Sequence, residues 1–354
     1  MASANNQARW SLMQRPQKAF NAIIGVAKND NAVAEIGPDI MFCLKITALT
    51  SPEKDVATTA FWVGRGLAAK WMRKTKHRSR QRSPLDPDEL LQITYGISSA
   101  RFFGVSDEGI ARLLETTTRS YSARELLGFK PCRSTSPRPA PVRCSCSQLS
   151  RCGAKRCGSC GLPIEYDSKF LLWQHALVYT HFGESIGVRP GSSYRSVARL
   201  RRFFLPYVRV DKCLDEDWRD CTYAVTHLLY TLTQYGICTL PTESFTQEQR
   251  FLVRARDRAY EEEDLELVAE ATECLTLFSG YEITSQERKY RGWIAARQQK
   301  DGTWGTGDNW YDFFHKVWVG FDALRDWCHP GGLVSTGCLN RTVGAPPQRD
   351  MGMR

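Results

Sequence analysis

Tyr290-Arg291-Gly292-Trp293-Ile294-Ala295-Ala296-Arg297-Gln298-Gln299-Lys300-Asp301-Gly302-Thr303-Trp304 is the stretch from which the rest of the chain is read. Arg291 to Gln299 reads as a short helix that presents Trp293, Ile294 and Arg297 together on its surface. Asp301-Gly302 then stops the helix, because glycine accepts the positive φ that a helix end often needs. The stretch speaks to architecture more than to chemistry.

The Gln and Gly-x-Trp of this stretch resemble the QW repeat of terpenoid cyclases and related α/α-toroid proteins. In that family the Gln amide bonds the backbone at the start of the next helix and the Trp stacks on it, which ties the outer helices of a double circle together. The resemblance implies the same clasp from Gln298 or Gln299 and Trp304. It also implies an α/α-toroid around a central cavity, and an enzyme acting on an apolar or prenyl-like small molecule there. One copy of the motif carries it.

The remaining pattern is helical. Helices are expected at 16–29, 57–75, 86–98 and 105–127, then at 169–179, 217–235, 245–262, 264–279 and 311–327. Asp86-Pro87-Asp88-Glu89 is a helix start, with Asp86 as N-cap, Pro87 at the first position and acids in the first turn. Strand signals are weak throughout, so the fold class is all-α. Residues 1–128 form a basic helical region and 129–164 a Pro-, Ser- and Cys-rich linker with a zinc loop. Residues 165–329 form a toroid-like helical region, and 330–354 a flexible Gly-rich tail.

The chain has 354 residues, 42% of them hydrophobic and 24% charged, a soluble globular composition. No apolar run approaches the ~18 residues of a membrane span. Localisation is expected to be intracellular and cytoplasmic. The first 29 residues lack acids and fit either a first native helix or an organelle transit peptide. Of the net charge of +10, the first 200 residues carry +14 and the remainder −4. The run from Lys70 to Arg82 is the sharpest basic cluster, suited to phosphates of nucleic acid or to an acidic partner. Five of the thirteen cysteines fall within 144–160. Cys144-x-Cys146 and Cys157-x-x-Cys160 can converge on one tetrahedral, structural Zn²⁺, with Cys152 as a spare.

Two helices each place an Asp and a His on a polar stripe: Asp220 with His227, and Asp312 with His315. Facing a central cavity, these four would carry acid–base or metal chemistry. Trp173, Tyr223, Trp310 and Tyr311 would shape the pocket and stabilise cations. The cyclase resemblance implies Mg²⁺ on an acidic cluster, for which Glu216-Asp217-Trp218-Arg219-Asp220 is the variant present. The Asp-x-Asp-Asp protonating motif is absent. Asp211-Lys212-Cys213 resembles the zinc ligands of protein prenyltransferases, and Cys328-His329 those of lanthionine cyclases. Neither a Gly-rich phosphate loop nor Gly-x-Ser-x-Gly occurs, which sets aside kinase, NTPase, nicotinamide-enzyme and α/β-hydrolase readings. The alternative to an enzyme is a zinc-containing helical scaffold that binds nucleic acid or an acidic protein.

Overall fold

Asn29 ends one helix and caps the next. Its side-chain oxygen accepts from the backbone N–H groups of Asn31 (3.0 Å) and Ala32 (3.1 Å). A helix from Asp30 to Thr50 follows, in a segment that the sequence reading left without one. Pro38 lies inside it and cannot donate to the helical ladder, and the backbone bends just before it at Ile36 (φ −124°, ψ 26°). The Gly37-Pro38 pair marks a kink in a continuing helix.

The computed structural model describes residues 2–81, 85–131, 145–146, 148, 156–163, 167–211 and 217–343. The chain is all-α, and its described residues contain only two strands, each of two residues. The first helices are α1 (Ala2–Ala27), α2 (Asp30–Thr50), α3 (Lys54–Gln81), α4 (Pro87–Phe102), α5 (Glu108–Ser120) and α6 (Ala123–Leu127). After the Cys-rich segment come α7 (Lys169–Ile186), α8 (Tyr194–Ala198), α9 (Asp217–Leu232), α10 (Thr246–Glu261) and α11 (Leu265–Leu275). The last are α12 (Ser285–Arg297), α13 (Trp310–Leu324) and α14 (Thr336–Val343).

Local signals set these boundaries. Asp86 accepts from Glu89 N–H at 2.8 Å with Pro87 opening α4. Gly187, at φ 83°, closes α7. The expected helix to Tyr235 stops at Leu232, because Gln234 and Tyr235 take positive φ (52° and 57°). The tail expected from Pro330 is ordered as far as Val343. Strand β2 (Gly332–Leu333) pairs in parallel with β1 (Cys238–Thr239), and α14 packs on α8.

The helix contacts form a cycle. α2 packs on α4, α4 on α7, α7 on α9, α9 on α11 and α11 on α13, and α13 returns to α2. α1, α3, α10 and α12 each span a neighbouring pair of this cycle. At the α13–α2 junction, Arg325 donates to Thr50 Oγ1 (2.8 Å) and Cys328 N–H to the Thr50 carbonyl (2.8 Å). Most buried apolar side chains from Ala19 to Val343 belong to one cluster, with Phe42, Ile46, Tyr95 and Phe182 in a second, so the two helical regions read from the sequence share a core.

The stretch 290–304 makes a clasp. The Gln298 amide donates to the carbonyls of Arg15 in α1 (3.0 Å) and Gly302 (3.1 Å), and Arg15 donates back to the Gln298 carbonyl (3.1 Å). Trp304 is buried, donates to the Ile294 carbonyl at 2.8 Å, and lies against Gly320 of α13, where a Cβ would come within 2.9 Å of the indole. Gly302 has φ 94°, and a Cβ there would lie 2.2 Å from the Lys18 carbonyl oxygen. One Gln and one Trp thus join α1, α12 and α13.

Candidate active site

A cavity of about 290 Å³ receives side chains from every helix of the cycle. Asp39 comes from α2, Tyr95 from α4, Gln174 from α7, His227 from α9, Glu270 from α11 and His315 from α13. Its carboxyl groups are Asp39, Glu270, Glu273 and Asp322, and no Lys or Arg is among its lining residues.

Of the three histidines on the cavity wall, His175, His227 and His315, the last two are set up in opposite ways. His315 Nδ1 lies 3.0 Å from Glu266, and its Nε2 lies 3.3 Å from Glu270. Burial pulls its pKa down, but the hydrogen bonds and charges of the two glutamates outweigh this and push it up to about 10. His315 is therefore a fixed imidazolium at neutral pH. Burial works to raise Glu270 as well; His315 outweighs it, helped by the Thr226 hydroxyl at 3.0 Å, and holds the carboxylate below its ordinary range. His227 has no such clamp. Its Nδ1 is 2.8 Å from the Tyr223 carbonyl, which makes this nitrogen the N–H donor and leaves Nε2 with a lone pair, 3.5 Å from the Gln174 amide nitrogen. Burial lowers its pKa, so His227 is neutral and basic at Nε2.

Burial raises the pKa of the other three cavity carboxyls, Asp39, Glu273 and Asp322. Asp39 is pushed up to about 7, chiefly by burial. Burial first, and then the charge of Asp322, push Glu273 well above the carboxylate range, while it accepts from the Tyr230 hydroxyl at 2.9 Å. Asp322 is anchored by Trp318 Nε1 (2.7 Å) and Arg325 Nε (2.5 Å). Acid-competent carboxyls and a neutral imidazole therefore face one space, the arrangement that general acid–base chemistry requires.

Of the expected residues, His227, His315 and Tyr311 line this cavity. Tyr223 supplies the carbonyl that orients His227. Asp220 and Asp312 are not among the lining residues. Each occupies the first turn of its helix, and Asp312 is bound there by the N-cap Asn309 (2.9 Å to its N–H and 2.9 Å to its carboxylate). Trp173 is fully buried, stacks on Phe204 at 4.3 Å and donates to the Val197 carbonyl at 2.9 Å, a packing role away from the cavity. Trp310 packs edge-on against Phe313, and its backbone N–H is bound by Glu35.

Sequence reasoning missed Asp39, Glu266, Glu270 and Glu273. Asp39 lies on the helix that was not recognised. The three glutamates carried a usable signal: at spacings of four and three they form a single stripe on a short helix that is otherwise mostly apolar.

In the Cys-rich segment the sulfurs of Cys146, Cys157 and Cys160 lie within 4.8 Å of one another, a group that could hold a metal ion. Cys146 and Cys157 Sγ are 3.6 Å apart, and Ser159 N–H points at Cys157 Sγ (3.4 Å). Backbone N–H groups of Cys160 and Ser159 hold the Cys157 thiol below its ordinary range, the direction metal ligation requires. Gly161 turns the loop at φ 71°. Cys144, Cys152, Cys213 and Glu216 lie outside the described residues, as does the linker 132–144. Among the described residues no other group of three or more His, Cys, Asp or Glu is close enough to share an ion. Cys328 and His329 instead tie the chain after α13 to its neighbours, His329 Nδ1 donating to the Gly236 carbonyl at 2.6 Å.

In the basic run, Lys70 pairs with Asp30 and Lys76 with Asp107 (2.7 Å), so part of its charge is used within the fold. No helix among the described residues is long and apolar enough to cross a membrane.

No protein-family model, curated protein or solved structure matches this chain.

Proposed function

We propose that the protein is an enzyme of the α/α-toroid type that performs acid–base chemistry on a small molecule in the cavity at the centre of the helix cycle. The observation that carries this is the contrast inside one space between His227, neutral with its Nε2 lone pair facing only the Gln174 amide at 3.5 Å, and the carboxyls of Asp39 and Glu273, held toward the protonated form. The return of α13 to α2 and the Gln298–Arg15 clasp support the toroid.

The substrate is an apolar or prenyl-like molecule of modest size. The cavity sits near the lower end of the range for small-molecule sites. No Lys or Arg lines it and its fixed cation, His315, is already paired with Glu266 and Glu270, so the reaction starts by protonation rather than by diphosphate loss. In this scheme Glu273 or Asp39 donates the proton and His227 Nε2 accepts one. Glu270 and His315 form a fixed ion pair that sets the field between them. Tyr95, Tyr230, Tyr235 and Tyr311 present faces that stabilise a developing cation. The cysteine loop, with Cys144 completing Cys146, Cys157 and Cys160, would hold a structural Zn²⁺ away from this chemistry.

The test is untargeted metabolite extraction from a host making the protein, set against hosts making His227→Ala and Glu273→Gln. A compound present with the wild type and absent with both folded variants is the expected result. Identical extracts from all three would end the proposal. Metal analysis should find one zinc per chain that Cys157→Ser loses; retention of zinc by that variant would remove the site.

A further inference from the structure

A second cavity, of about 410 Å³, lies back to back with the first and shares Ile46 and Tyr235 with it. Its wall includes Lys45 of α2, Ser98 of α4, His181 of α7, Tyr194 of α8 and Thr231 of α9, and α14 contributes Cys338, Leu339 and Thr342. No residue of the acid–base set described above reaches it.

Lys45 is the unusual group here. It is half-buried, and no ion pair to it is found among the described residues. Its ammonium lies 5.6 Å from the centre of the Phe42 phenyl group. The hydroxyls around the cavity are already committed. Ser185 donates to the Phe182 carbonyl (2.7 Å) and pairs with Ser98 (2.8 Å); Tyr194 donates to Thr231 (2.9 Å), which donates to the His227 carbonyl (2.7 Å). An anionic ligand would therefore find a single cation and no free cradle of donors. A carbonyl compound needs only a free amine.

The amine is available. Burial, with nothing opposing it, lowers the pKa of Lys45 to about 8. The titratable groups facing the same space do not reverse this. His181 is held neutral near pKa 4 by burial and the Lys45 charge, the Tyr194 and Tyr235 phenols are pushed up by burial, and Cys338 and Glu184 sit at its exposed rim. Glu184 is engaged with the Tyr194 backbone N–H at 2.9 Å.

We propose that this second cavity is a site for a small aldehyde or ketone, which Lys45 takes up as an imine. The Nζ lone pair attacks the carbonyl carbon and the C–O π pair becomes a hydroxyl, giving a carbinolamine. Expulsion of that oxygen as water, carrying both amine hydrogens, leaves the C=N bond; no oxidant or reductant is consumed. The proposal stands apart from the acid–base reading of the first cavity and survives its failure.

The experiment is reductive trapping on the intact full-length protein, with butanal and sodium cyanoborohydride at pH 8, read by peptide mass mapping. At that pH about half of Lys45 is free amine, against roughly one part in 300 of an ordinary lysine. Lys45 should therefore be butylated at least about 20-fold faster than the exposed Lys28 and Lys54, saturably in butanal, with a rate midpoint near pH 8. Equal rates at the three lysines, or a midpoint near pH 10, would overturn the proposal, and this readout needs no variant. Lys45→Met, which keeps most of the aliphatic stem, should lose the fast adduct, and His227→Ala should keep it.

Discussion

His315 and His181 line neighbouring cavities of the same helix cycle, and both are withdrawn from water, yet their protonation states are opposite. His315 is clamped by Glu266 and Glu270 and pushed up to about 10, whereas His181 has Lys45 and aromatic groups around it and falls to about 4. Burial alone disfavours charge in both. What differs is the partner set. The first cavity sets His315 against carboxyl groups. The second presents one amine with no carboxylate partner among the described residues. Two chemistries can thus share a wall of Ile46 and Tyr235 without sharing a charge state.

The most severe way to break this contrast is His315→Phe. It leaves Glu270 buried without its cation, and chemical denaturation should show a loss of about 3–5 kcal/mol. A loss under about 1 kcal/mol would mean that the clamp is not formed. The next effect is on pH dependence. Folded His315 keeps its proton up to about 10, while the unfolded chain releases it near 6.5. Its stabilisation is complete below 6.5 and drains away as pH rises toward 10. Asp39, raised to about 7 in the fold, adds a decline of the same sign at lower pH. Stability should fall by about 3–4 kcal/mol between pH 6.5 and 9 in denaturation curves; a flat profile would contradict the assignment.

A matched substitution in the other cavity should do far less. His181→Phe removes a neutral group whose contacts are aromatic, at a cost of about 1 kcal/mol or below. If it costs as much as His315→Phe, then His181 has a charged role that the geometry does not explain. The smallest effect is a titration shift. Lys45→Met removes one of the two influences that depress His181, so its midpoint in an NMR titration should move upward while that of His315 stays put. A His181 midpoint that fails to rise would separate the two groups.

Much of the scaffold was legible because its signals are local. Asp86 capping α4 acts within a few residues, whereas the Gly187 that ends α7 was not read and that helix was expected to stop at 179. α2 was not read as a helix; Pro38 bends it, and packing on α3, α4 and α13 carries it through the bend. The site was half legible for a related reason. A stripe identifies His227 and His315, but an acid in the first turn of a helix is as well explained by capping, which is where Asp220 and Asp312 sit. Glu266 and Glu270 matter only because α13 carries His315 to them, and no local pattern states that approach.

The bond from Arg325 to Thr50 spans 275 residues of sequence. Until the thirteenth helix leaves the ribosome, no partner exists for that end of the second, and the carboxyl groups of the first cavity stay in water with ordinary acidities. Long-range closure of this kind is slow to form and leaves apolar helix faces open while it waits. A product cut short before Trp310 would therefore lose more than a segment: it would display an unfinished interior, and in a cell it should meet chaperones or proteases first.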